Sequence, residues 1–148
     1  MTDLSLPYAG GFVGREHRFA VRVYFEDTDL SGIVYHANYL RFMERARSDM
    51  LRSARIDQRG TMESGEGYYA VARLDMVYRR PAKLDDALLV TSRVLAVRAA
   101  ACEISQVVSR AGEVLTEGTV TAAFLGSDGR PKRQPAAWRA AFAELMEA

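Results

Sequence analysis

The apolar positions follow two different periods, and the change falls near residue 32. Phe19, Val21, Val23 and Phe25 alternate with Arg18, Arg22, Tyr24 and Glu26. A period of two sets these groups on opposite faces of a half-buried strand. After Gly32 the period lengthens. Tyr39, Phe42, Met43, Ala46, Met50 and Leu51 recur at steps of three and four, the apolar stripe of a helix. Asn38 is the expected N-cap, with His36 as another place for the turn to begin. Arg41, Arg45, Asp49 and Arg52 lie off the stripe, and the helix is expected to fade between residues 53 and 60. Residues 57–67 hold three glycines among polar side chains and are expected to form a loop.

Period two then returns four times. Ala72, Leu74, Met76 and Tyr78 alternate with Arg73, Asp75 and Arg79, and Pro81 ends that strand. Further strands are expected over residues 87–97, 101–110 and 114–125, with Ala111-Gly112 and Ser127-Asp128-Gly129 as turns. Pro135 opens a last helix, in which Trp138, Ala141, Phe142, Leu145 and Met146 share one face. The order strand, long helix, four strands, short helix predicts an α+β fold. One curved antiparallel sheet carries a helix on one face. A doubly wound parallel sheet is excluded, because crossover helices are missing between the later strands. Residues 1–14, rich in glycine and turn formers, are expected to be a flexible N-terminal arm, and 15–148 a single domain.

Composition narrows the partners. The chain has 148 residues, enough to build a core without staples. Twenty basic groups balance 19 acidic ones, which argues against nucleic acid or an anionic membrane as a bulk partner. The single cysteine, Cys102, allows neither a disulfide framework nor a cysteine-based zinc site within one chain, and its alternating apolar surroundings suggest a buried thiol. No apolar run approaches the length of a membrane span. The N-terminal residues lack the basic-then-apolar order of a secretory signal, so the cytoplasm is the expected compartment.

The densest chemistry lies in residues 26–47, EDTDLSGIVYHANYLRFMERAR. Asp27, Asp29, Ser31 and Gly32 begin like a calcium loop, but its twelfth position is Asn38 where a bidentate glutamate is needed. Asp27 and Asp29 also match the Asp-x-Asp turn of an aspartyl-phosphate phosphatase. That chemistry needs a parallel sheet and lysine loops, and this chain has only Lys83 and Lys132. A third possibility uses the helix. Its first turn presents free N–H groups and positive dipole, and an acid just before it, Asp29, can face a group held there. A carboxylate beside oxyanion donors is the minimum equipment for acyl transfer. A thioester is a better target than an amide, because its leaving thiolate is much less basic.

The segments Val23-Tyr24-Phe25-Glu26-Asp27-Thr28-Asp29, Gly32-Ile33-Val34-Tyr35-His36, Asn38-Tyr39 and Glu44-Arg45-Ala46-Arg47 resemble the hot-dog acyl-CoA thioesterases. The resemblance is strongest to the Tol–Pal-associated, YbgC-like branch of the 4-hydroxybenzoyl-CoA thioesterase family. Tyr78-Arg79-Arg80-Pro81-Ala82 and Leu84-Asp85-Asp86 extend it. It implies a hot-dog fold, an antiparallel sheet wrapped around a long central helix, with active sites where two subunits meet. It implies hydrolysis of a small acyl-CoA, short-chain or aromatic, without cofactor or metal. The catalytic carboxylate maps onto Asp29 and the histidine onto His36, with the oxyanion donor a backbone N–H near His36. Asp27 is expected to shape the turn. Where members often carry a second tyrosine, this chain has Phe25. Phe25, Tyr35, Arg79 and Arg80 are the expected substrate contacts, the arginines through CoA phosphates. Glu44, three residues from both Arg41 and Arg47, is better explained by intrahelical ion pairing than by catalysis. An acyl-thioester or protein-binding module with little turnover is the alternative. The exposed edge of such a sheet makes a homodimer or homotetramer the expected assembly.

Overall fold

A computed structural model describes residues 2–146. Six strands form one sheet in the order β1-β2-β4-β5-β6-β3, and every neighbouring pair is antiparallel. They are β1 (Gly11–Val13), β2 (Glu16–Arg22), β3 (Tyr68–Tyr78), β4 (Ala87–Val97), β5 (Ala101–Arg110) and β6 (Glu113–Leu125). The long helix α1 (Asn38–Ser53) lies on one face. The short α2 (Gln58–Glu63) follows it, and α3 (Ala136–Met146) comes last. This is the expected hot-dog arrangement.

Alternation builds the core. Leu88, Val90 and Val94 of β4 and Cys102, Ile104 and Val108 of β5 point inward with Val120, Ala122 and Phe124 of β6. They meet Tyr39, Phe42, Met43, Ala46, Met50 and Leu51, the stripe of α1. The buried side chains divide into two clusters. The larger gathers around Phe42 and Met43; the smaller joins Leu51, Ile56, Val94 and Cys102 to Phe142 of α3.

Four local expectations are corrected. The first strand ends at Arg22 rather than running through Phe25. Val23 is still buried and still bonds backbone to backbone with Asp85 and Asp86, so the alternation outlasts the ladder. Phe25–Asp27 is a single 3₁₀ turn. Asn38 is not the N-cap of α1; Ala37 stands there, and the Asn38 amide donates to the Asp27 carbonyl instead (2.8 Å). The stretch 57–67 contains α2, whose N-cap Asp57 accepts the Gly60 N–H (3.0 Å). Gly11–Val13, inside the stretch expected as an arm, pairs with β2. Among the described residues no helix is long and apolar enough to cross a membrane.

Two buried polar contacts fix α1 against the sheet. Gln106 of β5 donates to the Met43 carbonyl and to Ser92 Oγ, and accepts from Arg47. His17 of β2 is fully buried, with Nε2 2.7 Å from Asp49 Oδ2. The same oxygen accepts the Gly10 N–H (3.1 Å), tying the first hairpin to the helix. Removing one member of a buried pair strands the other without its partner. Asp49→Ala is therefore expected to lower unfolding free energy by about 3–5 kcal/mol in urea denaturation. A change within the scatter of surface substitutions would show that the pair does not hold the helix.

Candidate active site

The turn between β2 and α1 is built by Asp27, which is buried. Its carboxylate accepts the Tyr24 N–H (2.8 Å), and its carbonyl accepts both the Tyr35 N–H (2.9 Å) and the Asn38 amide. Asp27 thus shapes the turn, as expected from its place in the sequence. A second, smaller turn is nested within this one. The Asp29 carbonyl accepts the Gly32 N–H (3.0 Å), and the Ile33 carbonyl accepts the Asp29 N–H (2.9 Å). Gly32 has φ +83°, a left-handed conformation that glycine adopts without a Cβ penalty.

These turns bring Asp29 and His36 to one open cleft of about 380 Å³, with Val34, Tyr39 and Tyr78 in its walls and Arg79 and Arg80 at its rim. Asp29 and His36 are both exposed in the isolated chain. The Asp29 carboxylate accepts the Ser31 hydroxyl and the Ser31 N–H. Those two bonds hold its carboxyl below the usual aspartate range, and His36 adds a smaller pull in the same direction. Asp29 is consequently an ionised carboxylate near neutral pH. The Tyr35 ring lies against the His36 ring, centroids 4.5 Å apart. The Tyr78 hydroxyl donates to the His36 carbonyl (3.0 Å) and fixes the backbone there. Among the described residues no hydrogen-bond acceptor takes the N–H of His36 or Ala37, the two amides at the mouth of α1.

The remaining expected contacts are less uniform. Arg79 pairs with Glu117 (2.8 Å) and Arg80 with Glu113 (3.2 Å), both on the exposed surface. An incoming phosphate would have to compete with those carboxylates. Tyr35 backs the histidine and does not line the cleft. Phe25 is 84% exposed on the 3₁₀ turn and also lies outside the cleft walls. Glu44 lies elsewhere on α1 and accepts the Ser48 hydroxyl (2.8 Å) rather than pairing with an arginine. Cys102 is buried, and burial pushes its thiol up to about 11, so it is a poor nucleophile. Among the described residues no cluster of potential ligands could hold a metal.

Two contributors escaped the sequence reading. Ser31 sits two residues after Asp29, the spacing of a side-chain-capped turn, so its role was visible in principle. Tyr78 comes from a strand 42 residues beyond His36 and carries no local signal.

The thioesterase-like superfamily matches residues 23–146. The acyl-CoA thioesterase YbgC of Haemophilus influenzae is 39% identical over 128 residues, covering 86% of this chain and 94% of that protein. The acyl-CoA thioester hydrolase YbgC of Escherichia coli is 38% identical over 104 residues, 70% and 77% of the two chains. Among solved structures, a probable thioesterase from Bartonella henselae superposes with a TM-score of 0.77 at 32% identity, covering 81% of this chain and 99% of that one. A 1,4-dihydroxy-2-naphthoyl-CoA thioesterase from Synechocystis gives a TM-score of 0.82 at 20% identity, over 90% and 99%, a likeness of fold alone.

Ser31 supplies a direct handle on Asp29. A step that needs the ionised carboxylate runs above the Asp29 pKa and fails below it. Ser31→Ala removes the largest cause of the depression, so the acid limb of a kcat/KM–pH profile should move to higher pH. A limb at unchanged pH would separate that titration from Asp29.

Proposed function

The chain belongs to the thioesterase-like superfamily, and on that premise we propose that it hydrolyses a small acyl-CoA, short-chain or aromatic, to the free acid and CoA. The observation that carries this reading is that Asp29 and His36 line one cleft beside the start of α1, where the N–H groups of His36 and Ala37 have no acceptor among the described residues. The thioester carbonyl oxygen would sit against the His36 and Ala37 N–H groups, where the dipole of α1 favours developing negative charge. Asp29 faces the carbonyl carbon from the turn side. It acts there as nucleophile or as general base for water; either route breaks the C–S bond and adds one water across it. His36 polarises the carbonyl or holds that water, steadied by Tyr35 and by Tyr78.

Arg79 and Arg80 stand at the rim, where CoA phosphates would exchange Glu117 and Glu113 for a stronger anion. Phe25 and Tyr35 are left without a substrate contact inside one chain; Phe25 is the position at which a tyrosine hydroxyl is missing. A CoA thioester and a single buried thiol both suit a cytoplasmic protein.

Thiol release from a panel of acyl-CoAs tests the assignment. Asp29→Asn is expected to lower kcat by at least about 10²-fold, the scale of losing one electrostatic contributor. His36→Ala should fall less steeply. Wild-type turnover by Asp29→Asn would reject the carboxylate, and an unchanged His36→Ala would make the histidine structural. Calorimetric binding of acyl-CoA by the wild-type protein without thiol release would favour the binding module.

A further inference from the structure

Arg110 closes β5 on the inward face of the sheet. Cys102, Ile104, Gln106 and Val108 alternate toward α1 and are buried, and position 110 continues their phase. A cation drawn partly out of water needs partners, and Arg110 has them. Nη1 donates to Asp86 Oδ2 (2.7 Å) and, more loosely, to the Pro81 carbonyl (3.4 Å). Nη2 donates to Glu113 Oε1 (2.9 Å). The side chains of Arg110 and Asp86 are only 31% and 24% exposed, unlike the open rim pairs of Arg79 and Arg80.

The arginine clasps the segment between β3 and β4. Asp86 accepts the Lys83 N–H (2.8 Å) as well as Arg110, which closes residues 83–86 into a turn. The Lys83 bond first, and Arg110 after it, hold the Asp86 carboxyl below the usual aspartate range, so it is the charged partner near neutral pH.

The same segment carries the back of the Asp29 turn. The Val34 N–H donates to the Ala82 carbonyl (2.9 Å), and Ile33 and Lys83 form an antiparallel bridge. The Ile33 carbonyl in turn accepts the Asp29 N–H, and His36 lies two residues past Val34. Ala82 is buried, and its own N–H is taken by Tyr39 Oη of α1 (3.0 Å). Residues 28–37 lie in no helix or strand, so these contacts and the Asp27 bonds set where Asp29 stands. A path of bonds thus leads from Arg110 through Asp86 and residues 82–83 to Asp29, although Arg110 lines no part of the cleft.

We infer that Arg110 is a positioning residue: clasped to Asp86, it fixes the segment on which the Asp29 turn is seated and so sets that carboxylate against the opening of α1. Its effect on turnover rests on the hydrolase reading; the seating of the turn does not. A misplacement of about 1 Å at a reacting group costs about 10²-fold in rate, so loss of the clasp is read in kcat. Glu113 also pairs with Arg80 at the cleft rim (3.2 Å), so two thioesters are needed to separate positioning from a contact with CoA phosphates.

Arg110→Met, Asp86→Asn and the double variant are assayed on hexanoyl-CoA and on the hexanoyl thioester of N-acetylcysteamine, which has no phosphate. Each single variant should lower kcat on both at least about tenfold, with KM for the truncated thioester within about twofold of wild type. The double variant should lose no more than the worse single one, since the two residues act through one contact. Arg110→Lys keeps a cation for Asp86 and should recover part of the loss. Backbone amide exchange is then followed by NMR. In Arg110→Met the Val34 and Asp29 amides should exchange at least about tenfold faster, with the amide of Ile104, in the middle of β5, unchanged.

A higher KM for hexanoyl-CoA alone, with kcat kept, would make Arg110 a phosphate contact and overturn the inference. Losses that add in the double variant would do the same. So would exchange quickened equally at Val34 and Ile104, the mark of a merely stabilising pair. Where Arg110→Met does not fold, Asp86→Asn, whose amide oxygen still accepts the Lys83 N–H, carries the same comparison. If the wild-type protein cleaves neither thioester, the hydrolase reading has failed on its own, and exchange decides the seating of the turn. Faster exchange at Val34 and Asp29 alone supports it, and equal or unchanged rates remove it.

Discussion

The site depends on how one buried aspartate closes the turn between sheet and helix. Asp27 receives hydrogen bonds at its carboxylate from Tyr24 and at its carbonyl from Tyr35 and Asn38. A buried carboxylate is costly unless its oxygens are bonded, so the turn is stable only in the geometry that bonds them. That geometry sets the first residue of α1 directly beside the end of the turn. Asp29 and His36 line the same cleft, and the N–H groups of His36 and Ala37 are left without an acceptor among the described residues. Asp29 can then be exposed and ionised while Asp27, two residues before it, is buried.

Rigidity behind the turn comes from the helix. An amphipathic stripe alone holds α1 on the sheet but leaves sliding and rotation weakly restrained. Gln106 and the His17–Asp49 pair supply direction, since each bond works at one position only. The amides at the start of α1 are placed by contacts farther along the same helix. On the other side, Tyr39 accepts the buried Ala82 N–H (3.0 Å) and Tyr78 holds the His36 carbonyl, so β3 and the segment after it complete the frame.

Much of this was legible in the chain. Residues 87–97 and 101–110 match β4 and β5 because strict alternation there is bounded by clear turns. The stripe of α1 was equally plain. Alternation misled at Phe25, since Val23 stays buried after the strand ladder stops, and periodicity senses burial rather than hydrogen bonding. Asn38 looked like a cap because asparagine commonly is one; its real partner lies eleven residues back, across the turn. The six residues of α2 are too few to establish a helical period, and Gly60 weakens the signal further. A long motif singled out Asp29 and His36, which line one cleft, whereas nothing singled out Tyr78, because its contact with the His36 carbonyl is made only once the sheet has formed.

The central claim is that the Asp29 carboxylate and the amides opening α1 address one carbonyl group. A crystal structure of Asp29→Asn with an uncleaved acyl-CoA bound examines that most directly. The account predicts the thioester oxygen within hydrogen-bond distance of the His36 or Ala37 nitrogen, with the residue 29 carboxamide over the carbonyl carbon. A thioester seated away from both, with residue 29 turned to solvent, would contradict it.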